Sequence, residues 1–286
     1  MINVENAAYT YMKGGPFEIS AVKDISLKIN DGEFVGLIGH TGSGKSTLIQ
    51  MLAGLLKPTD GKITINGHIL YDKSTDMKKV RFETGLVMQY PEYQLFEDTV
   101  FKDIAFGPSN MGLSKKEIDE RVYYAADLVG LDKTLLEKSP FDLSGGQKRR
   151  VAIAGIIAMT PKILILDEPA AGLDPAGRDE ILYKIGDLHK RMNITVILVS
   201  HSMEDIAKLA ERIIVLNSGK IVIDDALNKV FMQSDLLKQN SLSIPEITKV
   251  VDKLRKSGLL LPEGIFTVDY AASAIKEAFK QTYTTK

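Results

Sequence analysis

A short apolar run, Glu33-Phe34-Val35-Gly36-Leu37-Ile38, leads directly into Gly39-His40-Thr41-Gly42-Ser43-Gly44-Lys45-Ser46-Thr47, and Lys45 to Leu55 then carries a helical pattern. A strand that delivers a glycine-rich turn into a helix start belongs to an α/β sheet, with the turn at the carboxyl edge. Gly39, Gly42 and Gly44 let the backbone bend tightly and aim N–H groups at phosphate oxygens. The helix start adds a partial positive charge. The spacing predicts that Lys45 reaches the β- and γ-phosphates of a nucleoside triphosphate and that the Ser46 hydroxyl completes Mg²⁺ coordination. Thr41, Ser43 and Thr47 are counted with the loop. So is His40, which fills a variable position and is given no separate role.

A second apolar run, Ile163-Leu164-Ile165-Leu166, ends in Asp167-Glu168. Both carboxylates are expected at the carboxyl end of a buried parallel strand, the edge at which open α/β sheets bind ligands. Asp167 is expected to hold Mg²⁺ through water, and Glu168 to polarise an attacking water. Such chemistry rests on placement and charge stabilisation, so one oriented carboxylate with the metal and Lys45 can suffice. Between the two motifs lies Leu143-Ser144-Gly145-Gly146-Gln147, ahead of the apolar, helix-compatible stretch Lys148 to Met159. A serine cap followed by two small residues makes a second anion-seeking helix start. The chain has one phosphate loop and no internal repeat.

Lys and Arg total 36 against 37 Asp and Glu, a net charge of −1, so no nucleic-acid partner is expected. Cysteine is absent, which excludes disulfides and thiolate metal sites. The N-terminus lacks a secretory pattern, and no apolar run reaches the roughly 20 residues that span a bilayer. The greasiest stretch, Val151 to Leu166, is broken by Thr160-Pro161-Lys162.

Alternation predicts strands at Ile2–Glu5, Val22–Ile29, Lys62–Ile65, Gly85–Met88, Thr195–Val199, Ile213–Leu216 and Lys220–Ile223. Asp31-Gly32 is expected to form a hairpin turn, and Asn66-Gly67 a turn after the strand Lys62–Ile65. From Pro91 to Met159 the pattern turns helical, and Ser114 with Glu117 forms a capping-box signature. Pro245 to Lys256 and Ala271 to Phe279 are expected to be helices.

In this order the motifs closely resemble the nucleotide-binding subunits of ABC transporters, over roughly residues 1–225. The resemblance implies an α/β fold: a P-loop ATPase core with a mixed sheet and flanking helices. It also implies an inserted helical subdomain at about 91–159 and a small, mainly helical C-terminal segment at 226–286. Its implied cofactors are ATP and Mg²⁺. By the same resemblance, Tyr11 stacks on adenine, and Gln89 joins Mg²⁺ and water to the transmembrane partner. Ser144, Gly145, Gly146 and Gln147 meet the γ-phosphate of ATP held by an opposing subunit. Ala171-Gly172-Leu173-Asp174 communicate across the dimer, and His201 contacts the γ-phosphate. The implied catalytic set is Glu168, His201, Gln89 and Lys45, with Ser46, Gln89 and Asp167 around the metal.

Gln89-Tyr90-Pro91-Glu92-Tyr93-Gln94-Leu95-Phe96, Phe106-Gly107-Pro108 and Asp142 to Gly155 are similar to the ATPases of energy-coupling factor (ECF) transporters, which import vitamins or transition-metal ions. Glu168-Pro169-Ala170-Ala171-Gly172-Leu173-Asp174 looks most like the second of their two ATPase types. The implied partners are a second ATPase subunit, a transmembrane scaffold and, indirectly, a substrate-capturing membrane protein. A heterodimer is expected, with a homodimer as the alternative. The implied location is peripheral, on the cytoplasmic side of the cell membrane. The aromatic residues after Gln89 would form a groove for helices of the scaffold, or else the core of the helical region. A conventional ABC importer is the nearest alternative, and a soluble non-transport ABC ATPase a more distant one.

Overall fold

Two kinds of strand build two sheets in a computed structural model that describes residues 1–284. The last two residues of the expected C-terminal segment lie outside the described residues. Strands that alternate form the first sheet: β1 (Ile2–Tyr11) pairs antiparallel with β2 (Ile19–Ile29). β3 (Phe34–Ile38) is instead buried at all five positions. That contrast corrects one expectation, because Asp31-Gly32 makes no hairpin and β2 and β3 lie in different sheets. A strand apolar on both faces suits the middle of a covered parallel sheet, and an alternating one suits a half-exposed antiparallel sheet. The turn at Gly32 (φ +74°) therefore carries the chain from one sheet to the other.

α1 (Lys45–Leu52) stops short of Leu55, because Gly54 turns left-handed at φ +66° and leaves Leu55 exposed. β4 (Asp60–Ile65) and β5 (His68–Ile69) meet at the expected Asn66-Gly67 turn, where both residues have positive φ. The first sheet runs β2-β1-β4-β5. α2 (Met77–Glu83), capped by Asp76, precedes β6 (Thr84–Val87).

The helical region follows a 3₁₀ turn at Pro91–Gln94: α3 (Val100–Asn110), α4 (Lys115–Leu128, with the expected Ser114–Glu117 capping box) and α5 (Gly145–Ile157) pack on one another. β7 (Ile163–Asp167), α6 (Pro175–Met192), β8 (Thr195–Val199), α7 (Met203–Leu209), β9 (Arg212–Asn217) and β10 (Lys220–Ala226) complete the second sheet. Its order is β10-β9-β3-β8-β7-β6, antiparallel at β10–β9 and parallel elsewhere. Alternate residues of the central strands feed two cores. Val35, Leu37, Ile165 and Val199 join α1 and the first sheet, whereas Phe34, Ile38, Leu166 and Leu198 join the helical region. Each such fully buried side chain contributes about 1.5–3 kcal/mol, so truncation on either face would loosen what the sheet edge holds.

Four helices close the chain: α8 (Leu227–Met232), α9 (Ser234–Gln239), α10 (Glu246–Lys256) and α11 (Val268–Thr284). α11 is longer than the helix expected at Ala271–Phe279. Val251, Leu261, Ile265, Ala271 and Ala274 give this end its own apolar cluster. Among the described residues no helix is long and apolar enough to cross a membrane.

Candidate functional site

The neighbouring strands β3, β8, β7 and β6 run parallel, so their carboxyl ends share one edge. Just past those ends lie, in that order, the glycine-rich loop with Lys45, then His201, then Asp167 with Glu168, then Gln89. Sheet order thus gathers onto one edge residues scattered over more than half the sequence.

The loop takes its shape from glycine where nothing else fits. Gly44, at φ +102°, caps α1, and a Cβ there would stand 2.4 Å from the Ala21 carbonyl oxygen. Gly42, at φ +79°, faces open space, with no atom within 4 Å of where a Cβ would be. Lys45 Nζ lies buried and donates to the carbonyl oxygens of Gly39 (2.6 Å) and His40 (3.1 Å). Burial lowers its pKa, while Glu168 and Asp167 pull it back up. Ser46 is exposed on the first turn of α1, and the buried Thr47 meets the Tyr11 hydroxyl at 3.2 Å. Tyr11 sits edge-on to Tyr9 with ring centroids 4.7 Å apart. His40 turns to the Thr41 carbonyl (2.7 Å) and to Asn217 Oδ1 (3.0 Å), and Asn217 in turn bonds Asn240 at 2.7 Å. Its side chain is thereby tied to the ends of β9 and α9.

Glu168 has left-handed backbone at φ +51°, a costly conformation for glutamate, held by a bond from its N–H to the Val199 carbonyl at 3.0 Å. Its Oε1 is buried without a hydrogen-bond partner and lies 3.6 Å from His201 Nε2. Burial pushes its carboxyl from 4.5 up to about 7; the charge of Asp167 adds to the rise, and the His201 N–H and Lys45 oppose it. Burial also raises Asp167, against the pull of Lys45. His201 is half exposed, and burial and Lys45 lower its pKa.

Orphaned buried polar atoms mark a place that awaits a partner. Here a buried ammonium and an unpaired carboxylate oxygen sit beside an open glycine loop and an exposed hydroxyl on a helix start. That donor set fits a triphosphate with a hard, oxygen-liking cation. Among the described residues no cluster of His, Cys, Asp or Glu could hold a metal without such help.

Ser144, Gly145, Gly146 and Gln147 are not joined to this group. Ser144 and Gln147 close a capping box on each other, with bonds of 3.0 and 3.3 Å. A side chain at Gly145 would meet nothing within 4 Å, and one at Gly146 only Leu173, at 4.0 Å. Asp174 caps α6 by accepting from the Gly177 N–H at 2.9 Å. Gln89 is exposed beyond β6. Of the aromatic residues after it, Phe101 and the neighbouring Leu95 pack partly into the core, whereas Tyr93, Phe96 and Phe106 stay exposed. Phe96 and Phe106 meet edge-on at 4.9 Å and border a groove of about 300 Å³ with Asp103, Ala152 and Gly155.

Two polar links escape sequence reasoning. Arg178 Nε donates to the buried Asp205 at 2.9 Å, joining α6 to α7, the helix that follows His201 in the chain. Arg149 bonds Glu92 and the backbone after Glu168. A signal for Arg149 was present, because with Ile153 and Ile157 it repeats every four residues along the buried face of α5.

The family described as ABC transporter matches residues 22–171. An "Energy-coupling factor transporter ATP-binding protein EcfA2" of Caldanaerobacter subterraneus is 57% identical over 98% of both chains. A protein of the same name from Clostridium perfringens is 54% identical, again over 98% of each. Among solved structures, cbiO1 of Clostridium perfringens, described as part of the ABC transporter complex cbiONQ, aligns with a TM-score of 0.74 at 36% identity, over 88% of this chain and 98% of that one. The dimeric ATP-binding cassette MJ0796, in a post-hydrolysis state with ADP and Pi, aligns with a TM-score of 0.71 at 31% identity, over 79% of this chain and 99% of that one. The chain belongs to the ABC transporter ATP-binding proteins and, within them, to the energy-coupling factor ATPases of the EcfA2 type.

Proposed function

We propose that this chain is one of two unlike ATPase subunits of an ECF transporter, and that each ATP is held between the phosphate loop of one subunit and the signature helix start of the other. Lys45 and the loop amides would hold the β- and γ-phosphates of the chain's own ATP, and Tyr11 would pack on its adenine. Ser46, Asp167 through water, and Gln89 would hold a magnesium ion, which neutralises charge on the phosphate oxygens when bound. Glu168 would orient the attacking water and take its proton, and His201 would contact the γ-phosphate beside it. Ser144 to Gln147 would close on the γ-phosphate of the partner's ATP.

Closure around the shared phosphates would bring the two helical regions together, and hydrolysis would release them. Losing a γ-phosphate removes several charge-assisted contacts of about 1.5–3 kcal/mol each. The groove beside Phe96 and Phe106 would receive helices of a transmembrane scaffold on the cytoplasmic side of the cell membrane. The C-terminal segment from residue 226 onward would join the two ATPases, and the cargo would be a vitamin or a transition-metal ion. The observation that carries this reading is the convergence of Lys45, Glu168 and His201 at one sheet edge, with a buried carboxylate oxygen left without a hydrogen bond.

Affinity capture of the tagged chain from detergent-solubilised membranes tests the assembly. The expected result is recovery of a second, different ATPase with a membrane scaffold. Recovery of two dedicated permease subunits, or of a homodimer alone, would overturn the ECF heterodimer.

A further inference from the structure

Arg149, 2% exposed, is the most deeply buried charged residue among the described residues. It lies on the first turns of α5, two residues beyond Gln147. Its guanidinium grips Glu92 with two of its three arms, Nε to Oε2 at 3.1 Å and Nη2 to Oε1 at 2.7 Å. The remaining arm, Nη1, donates to the carbonyl oxygens of Pro169 (3.4 Å) and Ala171. One rigid, planar group therefore ties together three pieces far apart in sequence. Glu92 sits in the 3₁₀ turn that follows Gln89 and leads into Gln94, Leu95 and Phe96 of the groove. Pro169 to Ala171 are the residues immediately after Glu168.

A buried ion pair is a weak source of stability, since desolvation offsets much of its attraction and apolar side chains of similar volume would hold a core as well. What an arginine adds is direction: its fork fixes the carboxylate and the carbonyls relative to one another, which a point-charge lysine cannot do. The carbonyls it holds belong to the segment that directly follows the left-handed Glu168, where the Ala171 N–H returns to the Glu168 carbonyl at 3.1 Å.

We propose that Arg149 is a positioning residue that locks the loop carrying Glu168 to the docking segment around Glu92, so that movement of the groove is transmitted to the catalytic carboxylate. This rests on the roles given above to Glu168 and to the groove. A shift of the Pro91–Gln94 turn would drag the guanidinium, and the Pro169–Ala171 backbone with it. Misplacement on the scale of an ångström suffices to cost about a hundredfold in rate.

The test uses Arg149→Lys, Glu92→Gln and the double variant, each in the ATPase pair and in the complete membrane complex. Turnover, KM, the dissociation constant of a fluorescent ATP analogue and Tm are measured. Arg149→Lys keeps the charge at the site while losing the fork, and Tm reports whether the fold is retained. The variant should lower kcat of the pair by about tenfold to a hundredfold, with nucleotide affinity changed by less than about twofold. Glu92→Gln should reduce the stimulation of the pair by the membrane complex by about fivefold. The double variant should be no worse than Arg149→Lys alone, because both changes break one link. A lowered Tm with wild-type kcat where both proteins are fully folded would reduce Arg149 to a structural role and overturn the proposal. So would losses that multiply in the double variant. If the wild-type pair is not stimulated by any membrane complex, the transport reading falls instead, while a kcat loss in the isolated pair still supports positioning by Arg149.

Discussion

The two anion-seeking helix starts of this molecule differ in what they leave undone. At the start of α1, Lys45 is buried, and beside it the half-buried Glu168, just past β7, has a strained backbone and one carboxylate oxygen without a hydrogen bond. At the start of α5, Ser144 and Gln147 satisfy each other, and the glycines between them face open space. The first site holds charge in readiness for a ligand that completes it. The second is finished within its own chain and offers a surface with room for something brought by another molecule. A composite site needs this asymmetry, since groups that act on the chemistry must be pre-set, and groups that close on it must be free to arrive and leave.

The largest expected effect tests the strained half. Glu168→Gln should lower kcat for ATP by about 10²–10⁴-fold, the range for losing a positioned base, with the ATP dissociation constant changed by less than about twofold. Single-turnover hydrolysis with equilibrium binding of a fluorescent nucleotide separates the two quantities. Wild-type turnover in this variant would show that the unpaired carboxylate is not the group awaiting water.

The next effect tests the open half. In a pair built from one Ser144→Arg chain and one wild-type mate, hydrolysis should fall by about tenfold to a hundredfold at the ATP bound by the mate, the loss of one or two charge-assisted contacts. The ATP in the variant's own phosphate loop should be hydrolysed close to normally. Site-selective inactivation of one subunit in each mixed pair reads the two sites apart, and the reverse pattern would break the composite-site comparison.

These two halves were also unequally legible from sequence. The phosphate loop could be read because its chemistry is local: strand, glycines and helix follow one another, and each residue type is required by the backbone next to it. Asp167 and Glu168 could be read because a buried apolar run ends at them. Nothing local announced that Glu168 would adopt left-handed backbone, since glutamate has no such preference; the bond to Val199 on the neighbouring strand imposes it. The assignment of β2 and β3 to different sheets was hidden for a similar reason. Asp31-Gly32 is a good turn in either arrangement, and only the burial of both faces of β3 decides. The Arg149–Glu92 link spans 57 residues and three segments, so no window of sequence contains it. Tyr11 was placed by resemblance, and the structure adds that β1 runs on to residue 11 and sets its hydroxyl against Thr47.

The smallest effects are on stability, and they should differ in both sign and pH dependence between the two sites. The folded chain, free of nucleotide and with magnesium chelated, holds the Glu168 carboxyl up at about 7 against 4.5 when unperturbed. A raised carboxyl pKa means that the folded state retains the proton longer, so the group's favourable contribution is complete below about 4.5 and is lost as pH rises through about 7. Glu168→Gln removes that loss. Denaturant titrations should therefore show the variant gaining on the wild type between those limits, reaching on the order of 1–3 kcal/mol at pH 8. A constant difference from acid to pH 8 would mean that the carboxylate is not held in a desolvated site. Ser144→Ala deletes the hydroxyl that accepts from the Gln147 N–H, and no charge changes with it. It should cost about 1 kcal/mol, by the same amount at every pH across that interval. One substitution would then stabilise by removing a desolvated charge and the other would destabilise by removing a cap, which is the expected signature of a site that waits for its ligand beside one already complete in its own chain.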